Sequence, residues 1–293
     1  MSFSMFLPVA LALVMFGLGL TLTGVDLRRV ARSPRAAVIT LACQMLVLPV
    51  VGFGLVLGFG LPAELAVGAM LLAASPGGSS ASLFSHLAGG DVALNIAVTA
   101  LNSVLALATL PIVVDLSMTY FLGAGKEIGF QADKLVQVFA TVLVPVALGM
   151  WVRHRFSAFA VRMAGRVKIA AVLVLAIVVT TAVVTQWTVF LTRLGGVGLW
   201  ALAFCVCCLV IGYLVPRVFR VPREQAIASA MEIGIHNGVL AIAVATVVLG
   251  SPVLAIPAAV YGIVMNFPTA VAAFGFARGK GRRVGQVEPA GQG

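Results

Sequence analysis

Glu232, His236 and Asn237 stand inside an apolar run that reaches from about Ala226 to Leu249. An ionisable side chain surrounded by hydrocarbon costs about 2.5 kcal/mol or more and has to be met by a partner. Here an acid and an imidazole lie one helical turn apart, with an amide next to the imidazole. Gly234 and Gly238 bracket them, and glycine tolerates the dihedrals by which a helix unwinds and turns carbonyl oxygens toward a cation. A carboxylate beside loosened backbone has the chemistry of a sodium or proton site. The same residues also fit a polar cluster satisfied by neighbouring helices, with glycines for close packing.

A second interruption of the same kind lies far away in the sequence. Ser75-Pro76-Gly77-Gly78-Ser79-Ser80 breaks another apolar run: Pro76 removes a helical hydrogen-bond donor, and the two glycines accept non-helical dihedrals. The surroundings of the two breaks match. An acid opens each run (Glu64, Glu224), the break follows, and the next run starts at Asp91-Val92-Ala93-Leu94 or Ser251-Pro252-Val253-Leu254. The offset from Glu64 to Asp91 and from Glu224 to Ser251 is the same 27 residues.

The elements that must position these breaks are membrane spans. With 61% hydrophobic residues, 10% charged residues and a mean hydropathy of +1.14, the 293-residue chain lies outside the range of soluble domains. A span needs about 20 apolar residues. Nine such runs fall near 5–24, 36–60, 63–87, 92–122, 134–153, 167–187, 196–217, 223–249 and 252–277, the fourth with Pro111 as a candidate kink. No basic region precedes the first run, which therefore reads as a span rather than a cleaved signal. Charge supports the count. Nine spans put sixteen of the nineteen basic residues on one side and leave Lys126, Lys134 and Arg193 on the other, so the N-terminus is expected outside and the C-terminus in the cytoplasm, in an inner (plasma) membrane.

The net charge of +10 thus marks topology; with basic residues confined to short loops, nucleic acid is not an expected partner, whereas the bilayer is. Cys43, Cys205, Cys207 and Cys208 have no accompanying set at metal-ligand spacing and read as small core residues. Residues 278–293 read as a disordered tail. Four spans separate the two broken ones, so the copies cross in opposite directions. An inverted repeat with a Gly/Pro-interrupted helix in each half is the pattern of a secondary transporter. A channel would need a ring of repeated polar residues. An intramembrane enzyme would pair a nucleophile such as Ser79 with a base such as His236, but a nearby glutamate and two glycine breaks fit cation binding better, and no enzyme is expected.

Four segments carry a resemblance to a known family: Met15-Phe16-Gly17-Leu18-Gly19-Leu20 running on to Asp26, Pro76-Gly77-Gly78-Ser79, Asp91-Val92-Ala93-Leu94, and Glu232-Ile233-Gly234-Ile235-His236-Asn237. In that order they resemble the bile acid:sodium symporter family, in its nine-span form. The resemblance implies an all-α polytopic membrane protein in which two discontinuous helices cross. It further implies a core domain (spans near 36–122 and 196–277) moving against a panel domain (spans near 5–24, 134–153 and 167–187), with 1–277 as one transporter unit. It implies one or two sodium ions as coupling ions. One site falls on Ser82, Asn95, Thr99 and Glu232, with Ala81 where the family carries a serine and with the amide shifted from position 82 to Asn95. The other falls on Gln44, Glu232, the backbone of Ile233 and Ile235, and His236, which replaces a glutamine.

The implied activity is sodium-coupled symport of a small organic anion by alternating access, with Ser79, Asn237 and Asn266 as substrate contacts. Helix N-termini at the breaks suit a carboxylate. An alternative is a proton-coupled or sodium-independent transporter of organic anions that uses His236 and Glu232.

Overall fold

The structure, a computed structural model, describes residues 33–78, 80–123 and 187–284 continuously, together with pieces at 12–13, 16–17, 19–20, 144–145, 147–163, 166, 169–170 and 173. Among the described residues every regular element is helical. α1 (Pro34–Ala42) runs through a π-helical turn, Cys43–Val47, into α2 (Leu48–Gly58). Pro34–Gly58 as a whole is long and apolar enough to cross a membrane. So is Gly195–Val218 within α6 (Trp187–Val218). A third such stretch is Val253–Arg278, which joins a short 3-10 turn to α9 (Ile256–Val264) and most of α10 (Asn266–Val284).

α5 (Val92–Leu122) passes the same test as a bent pair, Val92–Ala106 and Ala108–Leu122 meeting at 54°. Pro111 explains where the bend falls. It has no N–H for the carbonyl of residue 107, and its ring crowds that carbonyl, so the helix opens one turn before the proline. Asp91 starts this helix by accepting a hydrogen bond from Leu94 N–H at 3.0 Å.

The two remaining apolar runs are cut where the sequence breaks. α3 (Ala63–Ala73) is separated from α4 (Ala81–Leu87) by the Pro-Gly-Gly segment, and α7 (Arg223–Gly234) from α8 (Gly238–Ala243) by Ile235, His236 and Asn237. Breaking a helix in hydrocarbon strands amide and carbonyl groups that no water can meet. Here the breaks satisfy one another. Gly78 N–H donates to Ile235 O at 2.6 Å and Asn237 N–H donates to Pro76 O at 2.8 Å, with Gly77 and His236 forming an antiparallel bridge. Where the two broken helices meet, their chains run in opposite directions.

Packing holds this crossing in place. α6 lies along α7 and against α9, α5 lies against α3 and α7, and α4 against α7. α3 also meets the 3-10 turn before α9 so closely that a Cβ on Gly68 would stand 2.2 Å from Leu254 O. Trp200, Phe204 and Tyr261 are the bulkiest fully buried side chains and fill the space behind the second break. The outward stripe of α6 is Leu199, Leu202, Val206, Val210 and Leu214, all exposed. A helix apolar on its inner and outer faces alike belongs in lipid.

At one end of the bundle the element ends are tied together. Asp91 N–H donates to Glu224 O at 2.9 Å, Gln225 to Ser33 Oγ at 2.9 Å, and Arg223 to Phe276 O at 2.8 Å. The starts of α1, α5 and α7 therefore share a face with the later part of α10. The spans expected near 5–24, 134–153 and 167–187 lie largely outside the described residues. So do 285–293, while α10 runs on to Val284.

Candidate functional site

Glu232 occupies the last turn of α7, with 1% of its surface exposed. Its carboxylate lies directly over the backbone of the other break: a Cβ on Gly77 would stand 2.0 Å from Oε1 and 2.4 Å from Cδ. Glycine at 77 is thus what lets the acid reach the crossing. No lysine or arginine occurs between residues 224 and 249 to balance it. Its partners come from α5. Thr99 Oγ1 lies in short hydrogen-bond contact with Oε2, and Asn95 Nδ2 reaches the same oxygen at 3.4 Å. Asn95 Nδ2 also donates to Ala228 O at 3.1 Å, which fixes the amide so that its oxygen points elsewhere.

What remains unpartnered defines the site. Glu232 Oε1 and Asn95 Oδ1 are both buried with no hydrogen-bond donor. A buried carboxylate oxygen or amide oxygen without a donor is destabilising unless a cation meets it, and oxygen donors suit a hard ion such as sodium. Among the described residues no three His, Cys, Asp and Glu side chains gather in one place. Ser82, in the first turn of α4, is half-buried, while Ala81 beside it is fully buried and offers no side-chain oxygen.

The other flank of the crossing is built differently. Gln44, in the π turn between α1 and α2, donates through Nε2 to Ser75 O at 3.0 Å and meets His236 Nε2 at 3.3 Å. The Ser75 carbonyl sets the amide's orientation, so the imidazole nitrogen facing it accepts and carries no proton. The ring stands 5.3 Å from Phe204 and edge-on to Tyr261 at 5.4 Å, with Nδ1 buried and unpartnered. Gln44 Oε1 is also buried without a partner. Of the two carbonyls expected here, that of Ile235 accepts the Gly78 hydrogen bond of the bridge. Tyr261 OH and, more weakly, Cys205 Sγ hold the carbonyl of Gly234 at 2.9 and 3.8 Å.

Residues 8–193 match the sequence profile of the Sodium Bile acid symporter family. The chain belongs to this family. It is 29% identical over 269 residues to YocS, an uncharacterized sodium-dependent transporter of Bacillus subtilis, a match covering 90% of this chain and 80% of that protein. It is 27% identical over 259 residues to BASS2 of rice, a probable sodium/metabolite cotransporter of the chloroplast (88% of this chain, 60% of that one). It is also 25% identical over 233 residues to the ileal sodium/bile acid cotransporter of the rabbit (79% and 66%). A symporter family is a family of transporters, not enzymes, and places this chain in a membrane.

Within this family member, Asn95 and Thr99 meet Glu232 on one side of the crossing, and Gln44 meets His236 on the other. The expected substrate contacts are dispersed in their bonding. Asn237 Oδ1 caps α8 by accepting from Leu240 N–H at 3.0 Å. Asn266 is exposed and donates to Gly262 O at 2.8 Å. Ser79 lies outside the described residues.

Sequence reasoning missed Asn102. It is 1% exposed, and its amide lies beside the Glu232 carboxylate. The signal was present: Asn95, Thr99 and Asn102 recur at the spacing of one helical face.

Proposed function

We propose that this protein is a sodium-coupled symporter of a small organic anion, working by alternating access. The observation that carries this reading is the unpartnered Oε1 of Glu232 at the crossing of two broken helices, with no lysine or arginine between residues 224 and 249. Sodium is the coupling ion. The residues present fit it on the α5 flank: Asn95, Thr99 and Glu232 supply oxygen, with Ser82 on the adjoining helix. Gln44, His236 and the backbone of Ile233 and Ile235 form the second candidate set.

Nine spans divide into a core of spans near 36–122 and 196–277 and a panel of spans near 5–24, 134–153 and 167–187. The N-terminus is outside and the C-terminus cytoplasmic. The anion lies between core and panel, against Ser79, Asn237 and Asn266. With no cationic side chain near mid-membrane, its charge is balanced by bound sodium and by the amide groups at the breaks. That supplies the coupling: ion and anion each favour the arrangement of the breaks that the other needs. The names of the relatives, which include sodium/bile acid and sodium/metabolite cotransporters, agree with this class of substrate.

Proton coupling through His236 is the lesser reading, because the imidazole accepts from Gln44 and stands between two aromatic rings rather than beside the carboxylate. The test has two stages. Thermal unfolding of the purified protein with bile acids, hydroxy acids and keto acids, in sodium and in choline buffer, selects an anion that stabilises it only with sodium. Uptake of that anion into proteoliposomes is then expected to be concentrative and to collapse with the sodium gradient. Uptake that persists unchanged in choline would sink sodium coupling, and sodium-dependent uptake indifferent to His236→Gln would sink the proton alternative.

A further inference from the structure

Tyr261, on α9, is among the largest side chains with no exposed surface, and its hydroxyl donates to Gly234 O at 2.9 Å. The second break strands that carbonyl. In a continuous helix it would accept from the N–H of residue 238, but Gly238 N–H donates to His236 O at 3.0 Å instead. A bare carbonyl in a dry interior is costly, and hydrocarbon offers no water to meet it. Tyr261 supplies the donor that the break took away. Gln44 Nε2 does the same at the first break, donating to Ser75 O at 3.0 Å.

The bond falls where it sets the position of the acid. Gly234 is the last residue of α7, and Glu232 lies two residues before it in the same turn. This turn also presses on α6 so closely that a Cβ on Gly234 would stand 2.5 Å from Leu209 Cδ2. Tyr261 has little freedom of its own: α9 packs against α3, α6 and α8, and the ring stands edge-on to His236 at 5.4 Å and 5.8 Å from Phe204. Glu232 needs such a mount, because its Oε1 lies over Gly77 where a Cβ would come within 2.0 Å. A binding constellation keeps its geometry when the residues behind it hold it to about 0.5 Å. Cys205 Sγ, 3.8 Å from the Gly234 carbonyl, is the weaker donor and does not replace a phenol at 2.9 Å.

We infer that Tyr261 is a positioning residue of the cation site at Glu232: its hydroxyl replaces the helical hydrogen bond lost at the break and so fixes the last turn of α7 to α9. The inference rests on the reading of Glu232 as a sodium site. Phenylalanine would fill the same space, so apolar packing gives no reason for the hydroxyl, whereas the stranded carbonyl does. Without that bond every atom of the ion site is still present, but the carboxylate loses its fixed place.

The experiment is the sodium dependence of thermal unfolding of the full chain in detergent, with choline chloride holding ionic strength constant. The proteins compared are the wild type, Tyr261→Phe, a protein with 4-aminophenylalanine at position 261, and Glu232→Gln. Phenylalanine deletes the donor and keeps the ring. The amino group keeps a donor at the same ring position. The expected result is a sodium midpoint raised at least about tenfold by Tyr261→Phe and kept within about threefold by 4-aminophenylalanine. The midpoint is the deciding readout, because a hydroxyl that only stabilises the fold lowers the unfolding temperature alike with and without sodium.

An unchanged midpoint in Tyr261→Phe overturns the inference, however far its unfolding temperature falls. So does a 4-aminophenylalanine protein as weakened as the phenylalanine one, because a donor at that place is then not what matters. Should Tyr261→Phe fail to unfold cooperatively in choline, the 4-aminophenylalanine protein decides alone, by keeping or losing the wild-type midpoint. Loss of the response in Glu232→Gln together with an unchanged midpoint in Tyr261→Phe leaves the sodium reading standing and removes only the role of Tyr261. A wild-type protein indifferent to sodium removes both.

Discussion

The two flanks of Glu232 are made from different atoms. Toward α5 the carboxylate meets hydroxyl and carboxamide groups, and two buried oxygens are left over. Toward the π turn and α6 the polar groups are mostly nitrogen: the Gln44 amide spends its N–H groups on Ser75 O and the imidazole, and Phe204 and Tyr261 close around the ring. On the proposed reading, the first flank receives a hard cation. The second is partly bonded to itself, with Gln44 Oε1 and His236 Nδ1 left over. On the proposed reading, the ion chemistry is concentrated on the oxygen-rich side.

The comparison is broken most directly at the acid the flanks share. Glu232→Gln removes the negative charge and is expected to cost about 3–5 kcal/mol of ion binding, several hundredfold or more, read as loss of sodium-stimulated uptake. Next comes the oxygen-rich flank. Thr99→Val keeps the shape and deletes the hydroxyl beside Oε2, so sodium affinity is expected to fall by about 1.5–3 kcal/mol, measured as the sodium concentration for half-maximal uptake.

Gly77→Ala attacks the geometry common to both flanks. Its Cβ would occupy the place of Oε1, and forcing the carboxylate aside is expected to destabilise the protein by about 1–3 kcal/mol while also weakening the sodium response. A lowered unfolding temperature in choline buffer checks the first effect, and a shallower sodium titration the second. The smallest effect is expected from His236→Gln. If the nitrogen-rich flank holds no essential ion, sodium dependence stays within about threefold of wild type. A loss as large as that of Glu232→Gln would falsify the division of labour between the flanks.

Several features were legible in the sequence because they depend on local chain composition. Hydropathy alone marked the runs that became Pro34–Gly58, Gly195–Val218 and Val253–Arg278. Proline and glycine marked both breaks, since a helix cannot continue without its donors whatever surrounds it. Pro111 likewise marked the bend of α5. The acid at 232 announced itself because charge in hydrocarbon is costly in any fold.

Other features depended on which distant residues meet, and only the tertiary structure decided them. Glu232 and Asn95 are 137 positions apart, and Gln44 and His236 are 192 apart. Which oxygens of those side chains are consumed and which are left free follows from that packing. The sequence alone put His236 and Gln44 in one candidate ion site, and the fold decided that Nε2 of the first faces the amide of the second. It gave no role to Asn102, which the bundle sets beside the carboxylate. The physical reason is the same throughout: the cost of a break or a buried charge is set by the residue itself, whereas the partner that offsets the cost is supplied by another part of the chain.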